Sequence, residues 1–329
     1  MTAFLDTSTP KIGLGCWAIG GPFTAGGRAV GWGVVDDAQS TRAIHAAVDM
    51  GVRLFDSAQA YGAGHSETVL GHALKNRPDV ALVTKFGWTI DTQAKTLDDM
   101  ITDPATIRAT LDASRTRFQR EHIDLVLMHP NDMDIALAAP IFDELDKMQA
   151  EGAIGGYGWS TDFPDRLNAF TDRPAFTATE HAMNVFFRAE HMVTAIEATQ
   201  ITGLVRSPLA MGILGGKYGA GAQFKSDDVR GTDEGWMAYF KDGKIKDKHL
   251  QQLDGVRDIL SSNGRSLAQG ALAWLWARSP NALPIPGFRT TAQVTDLCGA
   301  MDHGPLTQSQ MADIEAILDR PPEGPPMAR

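Results

Sequence analysis

The chain has 329 residues, 43% of them hydrophobic and 21% charged, which is enough apolar side chain for a large core and enough charge for an ordinary globular surface. A formal net charge of -10, with no Lys/Arg cluster, argues against nucleic acid or an anionic membrane as partner, because both attract basic surfaces. Cys16 and Cys298 stand far apart and outside any metal-ligand spacing, so neither a disulfide framework nor a metal site is expected, and a reducing cytoplasm is the natural setting.

Residues 1–10 lack a basic segment followed by an apolar one, and no run approaches the roughly 18 apolar residues of a membrane span. Neither secretion nor a membrane span is expected. From there, short apolar runs alternate with amphipathic stretches, a pattern of βα units around a parallel sheet. Strands are predicted at 12–14, 52–56, 80–84, 123–128, 154–159, 175–179, 203–206 and 282–285. Helices are predicted at 40–50, 66–75, 104–118, 136–151, 164–170, 190–199, 266–278 and 290–300. Eight such units predict an α/β fold closed into one (β/α)8 TIM barrel, a single domain over 1–329.

Two segments exceed a minimal barrel. One is the glycine-rich stretch 20–33, and the other is a long loop from Pro208 to about Asn263, after the seventh strand, expected to serve a ligand. The proline-rich tail 321–329 is expected to be loosely held. Gly13-Leu14-Gly15-Cys16-Trp17-Ala18 fits a loose dinucleotide-loop pattern, but Pro22 and the following glycines forbid a helix behind it. It reads as a barrel strand running into a loop.

Active sites of such barrels lie at the C-terminal ends of the strands. The second predicted strand ends in Phe55-Asp56-Ser57, the third in Val83-Thr84-Lys85 and the fourth in Leu127-Met128-His129, with Tyr61 in the loop after Asp56. Neighbouring strands are about 4.8 Å apart, so these side chains can share one pocket. Singly, each has an ordinary reading as cap, ion pair or turn residue. Together they suit delivery of a proton to a carbonyl oxygen while hydride reaches its carbon. Lys85 is expected to lower the pKa of the Tyr61 phenol, Asp56 to keep Lys85 charged, and His129 to orient the carbonyl.

The string Phe55-Asp56-Ser57-Ala58-Gln59-Ala60-Tyr61-Gly62, with Glu67 beyond it, resembles the aldo-keto reductase signature around its catalytic Asp and Tyr. Lys85 in Thr84-Lys85-Phe86-Gly87 and His129 after Asp124-Leu125-Val126-Leu127-Met128 match that family's lysine and histidine. Gly158-Trp159-Ser160 resembles the fifth-strand segment whose serine, here Ser160, binds the nicotinamide carboxamide. Ser207-Pro208-Leu209-Ala210-Met211-Gly212, leading to Lys217, resembles the loop that wraps the pyrophosphate, and Pro284-Ile285-Pro286-Gly287 the eighth-strand end near the adenosine phosphate. The resemblance runs from Gly13 to about Ala300. It implies an NAD(P)H-dependent reductase of a small aldehyde, ketone or sugar carbonyl, with Tyr61 as proton donor.

Several cofactor positions depart from the commoner pattern: Thr161 and Leu297 replace asparagines, Glu180 a glutamine, Arg206 an aromatic residue and Gly287 a lysine. A charge on Glu180 should favour the cationic oxidised nicotinamide unless Arg206 neutralises it. Arg289 is a cation at a helix N-terminus, where the macrodipole favours anions, so it is read as a ligand of a 2′-phosphate that Gln293 shares. NADPH is therefore expected in preference to NADH. Trp32, Trp88, Trp159 and Trp236 are candidates to line the mouth. The alternatives are a sugar or alcohol dehydrogenase running the same chemistry in reverse, and a cofactor-holding regulatory subunit. Oligomeric state is open at this level.

Overall fold

The computed structural model describes residues 5–9, 11–199, 201–232 and 235–326. Eight strands pair in parallel in strict chain order: β1 (Leu14–Gly15), β2 (Leu54–Asp56), β3 (Ala81–Phe86), β4 (Leu125–Met128), β5 (Tyr157–Ser160), β6 (Phe176–Ala182), β7 (Thr202–Arg206) and β8 (Ala282–Pro284). The ring closes where Gly13 N donates to Pro284 O (2.9 Å) and Gly15 N to Pro286 O (3.0 Å). Glycine is required at that seam, because a Cβ on Gly15 would lie 2.8 Å from Ile285 O. The Gly13–Ala18 motif is thus a barrel strand running into a short 3-10 turn at Trp17–Ile19.

Around the ring lie α1 (Asp37–Asp49), α2 (His65–Leu74), α3 (Pro104–Phe118), α4 (Ile135–Ala150), α5 (Pro164–Asn168) and α6 (Glu190–Glu197). They are followed by α7 (Asp247–Leu260), α8 (Leu267–Arg278), α9 (Thr291–His303) and α10 (Gln308–Leu318). Their starts are chemically marked. Asp103 accepts from Thr106 N ahead of Pro104, and Ser266/Gln269 and Thr290/Gln293 form reciprocal capping boxes.

Strand side chains alternate between two cores. Leu54, Val83, Leu125, Leu127, Ala178, Leu204, Leu283 and Ile285 fill the inside of the ring, with Leu5 among them. Phe55, Leu82, Val126, Met128, Tyr157 and Trp159 point outward into the larger layer between strands and helices.

The connection after β7 is more structured than the predicted loop. It carries α7, whose Leu253, Val256 and Leu260 recur on one face and are buried. The C-terminal helix α10, absent from the predicted set, starts on a Thr307/Gln310 capping box and buries Ile314 and Leu318. The tail beyond it has no regular structure through residue 326, yet Glu323 accepts from His191 N (3.4 Å); residues 327–329 lie outside the described residues. The glycine-rich segment forms a hairpin, Thr24–Ala25 with Arg28–Ala29. It joins a second hairpin, Trp88–Asp91 with Thr96–Met100, in a small four-stranded sheet. Strands of two residues flanked by glycine leave no periodic signal in the sequence.

Candidate active site

The alternation that builds the inner core also builds the site. Leu54 precedes Asp56 on the inward face, Val83 precedes Lys85, Leu125 and Leu127 precede His129, Ala178 precedes Glu180 and Leu204 precedes Arg206, so each strand is apolar below and polar at its C-terminal tip. Register aligns these tips: Asp56 lies opposite Val83, Lys85 opposite Leu127, and Ser160 opposite Glu180. Gly158 makes the strand packing possible, since a Cβ there would fall 1.8 Å from Ala178 O.

Tyr61 reaches the same place from the β2–α2 loop. That loop is wound tightly over β3 by Gln59 N to Lys85 O (3.2 Å) and by the Gln59 amide donating to Trp88 O. Gly62, at φ 64, abuts the turn after β1, and a Cβ there would overlap Gly20 O at 1.7 Å. Beneath it the fully buried Glu67 accepts from Thr84 Oγ1 and from Arg117 Nε (2.5 Å), tying α2 to β3 and α3.

Lys85 Nζ is the hub. It lies 2.5 Å from Asp56 Oδ1, 3.1 Å from Ser57 O, 3.3 Å from the Tyr61 hydroxyl and 3.1 Å from Glu180 Oε2, and its side chain is fully buried. Trp17 stacks on the Tyr61 ring at 5.8 Å, and His129 meets it edge-on at 5.9 Å. Tyr61, His129, Asp56, Ser160, Glu180 and Arg206 all open onto one cleft of about 650 Å³. Lys85 sits behind that surface and touches it through Tyr61.

The electrostatics differ from expectation at Tyr61. Its pKa is raised, because burial and the negative charges of Asp56 and Glu180 outweigh Lys85. The phenol stays protonated, as a proton donor must before it acts. Burial opposes the ammonium of Lys85, but Asp56, Glu180 and Tyr61 together more than offset it and hold the pKa above the ordinary lysine value. Burial, the Glu180 charge and the hydrogen bond to Glu180 raise Asp56 well above the usual carboxylate range, against the opposing pull of Lys85. Burial first, then Lys85 and Arg206, push His129 down to about 3, so its imidazole is neutral at physiological pH, and its Nδ1 has no partner among the described residues.

The predicted cofactor residues Ser160, Glu180, Arg206, Ser207, Pro208, Leu209, Gly212, Lys217, Gly287, Arg289 and Gln293 all line this cleft, as does Leu297. Thr161 does not. One residue past Ser160, it turns into the wall, where its hydroxyl donates to Asn131 O (2.7 Å). Trp159 is excluded by the same alternation: it is fully buried and its indole donates to Pro130 O, whereas Trp32, Trp88 and Trp236 line the cleft. Arg206 does not neutralise Glu180. It stands level with Ala182, two residues beyond, and pairs with Asp162 at 2.5 Å. Arg289 borders the cleft while its guanidinium donates to Trp32 O (3.2 Å) and Val34 O, and Gln293 Oε1 accepts from Arg289 N and Thr290 N.

Among the lining residues that escaped the sequence reading, Asn131, Trp17 and Arg230 bring polar or aromatic groups to the cleft. Asn131 follows His129 by two positions and donates to Asp162; strand parity was the signal that pointed to it. Trp17 lies in the motif dismissed as a dinucleotide loop. Arg230, packed 4.0–5.1 Å from the rings of Trp32, Tyr218 and Phe224 and paired with Asp228 at 2.6 Å, comes from the long connection, where nothing local marks it.

The cleft suits a dinucleotide. Ser207, Ala210 and Met211 all take positive φ, a conformation that L side chains hold only where the surroundings enforce it, and Gly212 follows at φ 99. A Cβ on Gly212 would lie 3.4 Å from the Tyr218 ring and 3.5 Å from Arg230. This coiled segment lays backbone along the cleft wall, with the cations Lys217 and Arg230 beside it.

A barrel with an Asp–Lys–Tyr–His cluster at the mouth of a dinucleotide-sized cleft defines the class as a nicotinamide-dependent oxidoreductase. A profile described as the Aldo/keto reductase family matches residues 11–319, and the chain belongs to that family. Aldo-keto reductase YhdN of Bacillus subtilis is 29% identical over 97% of this chain and 93% of its own. The glycerol dehydrogenase structure from Gluconobacter oxydans superposes with a TM-score of 0.78 at 28% identity, covering 96% of this chain and 95% of that one. An aldo/keto reductase of Klebsiella pneumoniae in complex with NADP and acetate shares the fold at TM-score 0.68 and 21% identity, over 96% and 93% of the chains. The chain is accordingly an NAD(P)H-dependent oxidoreductase acting on a small carbonyl compound. Among the described residues no helix is long and apolar enough to cross a membrane.

Proposed function

We propose that Asp56, Tyr61, Lys85 and His129 are the catalytic set of an NADPH-dependent carbonyl reductase and that the whole chain, 1–329, is one domain. The observation that carries this reading is the Tyr61 hydroxyl, held 3.3 Å from a fully buried lysine and edge-on to a neutral histidine in the cleft. When bound, the cofactor supplies hydride to the carbonyl carbon. Tyr61 donates its proton to the carbonyl oxygen, and the adjacent Lys85 ammonium stabilises the phenolate left behind. His129, uncharged, offers a ring nitrogen to orient the carbonyl without competing as an acid. Asp56 anchors Lys85 against the strand ends.

Ser160, Glu180, Arg206 and the 207–217 loop would hold the nicotinamide and pyrophosphate; Arg289 and Gln293 would meet the adenosine phosphate. Arg289 has donors beyond the two carbonyls it now serves, since a guanidinium carries five. The Klebsiella complex contains NADP, the cofactor form proposed here. Both cysteines are buried free thiols, consistent with residence in a reducing cytoplasm. A second reading, oxidation of an alcohol or sugar by the same residues, is favoured by the similarity to a glycerol dehydrogenase and by the carboxylate at Glu180. Titration with NADPH and NADH, followed by aldehydes and ketones in one direction and alcohols in the other, tests both. NADPH should bind more tightly and carbonyl reduction should be detectable; absence of turnover in both directions with bound cofactor would leave only the regulatory-subunit reading.

A further inference from the structure

Two carboxylates and one ammonium are buried together at the floor of the cleft. The side chains of Asp56, Glu180 and Lys85 are 3%, 2% and 0% exposed. The three N–H groups of Lys85 are committed to Asp56 Oδ1, Ser57 O and the Tyr61 hydroxyl. Glu180 Oε2 is near the ammonium but receives no hydrogen bond from it, and Asp56 Oδ2 likewise lacks a donor among the described residues. The remaining Glu180 oxygen accepts from Ser160 Oγ, at 3.4 Å. With both carboxyl groups ionised, this buried cluster would carry one uncompensated negative charge, an arrangement proteins avoid by retaining a proton. Asp56 Oδ1 and Glu180 Oε2 flank the same ammonium, 2.5 and 3.1 Å from Lys85 Nζ, so one proton held between the two carboxyl groups removes the net charge and supplies a missing donor.

We propose that Asp56 and Glu180 share one proton in the cofactor-free protein, that binding of oxidised nicotinamide expels it to solvent, and that reduced nicotinamide leaves it in place. The inference rests on the reading of this cleft as the nicotinamide site. The two redox forms differ by one positive charge on the ring, and that ring must lie close to Tyr61 for the reaction to occur. A cation there substitutes for the shared proton; a neutral ring does not. Glu180 therefore acts as a positioning residue that makes the redox preference of the site depend on pH.

The other charged and titratable groups facing the pair have settled states near neutrality. Cys16 at the end of β1 is a buried thiol pushed well above its ordinary pKa by burial and by Asp56. Tyr61 is held protonated and Lys85 charged. His129 from β4 is neutral, pushed down to about 3 by burial first. Arg206 from β7 is paired with Asp162 after β5. The carboxyl pair is thus the group free to change charge when a cation arrives.

The test is calorimetric titration of the wild-type protein with NADP⁺ and NADPH at pH 7, in buffers of different ionisation enthalpy. The two ligands carry the same phosphates, so the difference in protons released isolates the ring. NADP⁺ should release close to one proton more than NADPH. Its affinity relative to NADPH should rise by up to about tenfold per pH unit below the pKa of the pair. In Glu180→Gln both differences should vanish, with the far-ultraviolet circular dichroism spectrum and a cooperative thermal transition serving as the check on folding. Equal proton counts for the two ligands in the wild type overturn the proposal by themselves, as does an extra proton that persists in Glu180→Gln. Failure of either dinucleotide to bind overturns the cofactor reading as well, whereas tight binding of both with equal proton counts overturns only this inference.

Discussion

The two halves of the barrel handle charge differently. From β2 to β4 the tips carry Asp56, Lys85 and His129 with Tyr61 folded over them, the residue set that the resemblance implies, meeting directly in space. From β5 to β8 the commoner pattern is broken, and two of the substituted residues have charged partners: Arg206 pairs with Asp162 and Glu180 reaches back across the ring to Lys85, while Arg289 ties the start of α9 to the 32–34 loop. The comparison teaches that the halves are not electrically independent. The carboxylate on the cofactor side acts on the other half: burial first, with the charges of Asp56 and Glu180, raises the Tyr61 pKa against the pull of Lys85.

The sharpest break would be Tyr61→Phe, which removes the proton donor and leaves the packing against Trp17 intact. Turnover should fall by at least about 10²-fold, with NADPH affinity near wild type. Retained turnover in single-turnover assays would remove Tyr61 from the mechanism.

Lys85→Met should approach the same loss of activity and add a stability penalty, because it strands Asp56 and Glu180 without their cation. Removing one partner of a buried ion pair costs about 3–5 kcal/mol. Urea unfolding should show that deficit at pH 7 and a smaller one at acid pH, where Asp56, whose pKa burial and the Glu180 charge raise, takes up a proton. A deficit independent of pH would mean that the lysine stem, and not its charge, supports the fold.

Arg289→Ala probes the cofactor half. If the guanidinium binds a 2′-phosphate, NADPH should weaken by roughly 1.5–3 kcal/mol, the range for hydrogen bonds to charged groups. NADH should change little. Equal weakening of both cofactors would instead assign Arg289 to holding the 32–34 loop through its contacts to Trp32 O and Val34 O.

The smallest effect expected is on stability in Glu180→Gln. The raised Asp56 pKa means that the folded protein retains a proton which the unfolded chain releases near pH 4. That contribution is complete below the unfolded value and is lost as pH climbs toward the folded one. The wild-type melting temperature should therefore fall relative to Glu180→Gln as pH rises from about 4 to 7. Parallel curves would show that the two carboxyl groups titrate independently.

The eight strands, the order of the helices, the three residues at the strand tips and Tyr61 in the loop above them were legible from the sequence, because they rest on local signals. These are apolar runs of strand length, period-2 alternation, capping residues and one dense motif at 55–62. Alternation even carried information that was not used: Thr161 and Trp159 lie one step to either side of Ser160 and so face away from the cleft, while Asn131, two steps past His129, faces it. The four-stranded sheet of hairpins and helices α7 and α10 were missed; glycine interruptions and short strands give them little periodicity. What only the tertiary structure decided is which charge meets which. Ion pairing changes over a few ångströms, and those distances follow from strand register: Glu180 stands level with Ser160 and Leu204, whereas Arg206 stands level with Ala182. The spacing of residues along the chain contains no record of that offset across the barrel.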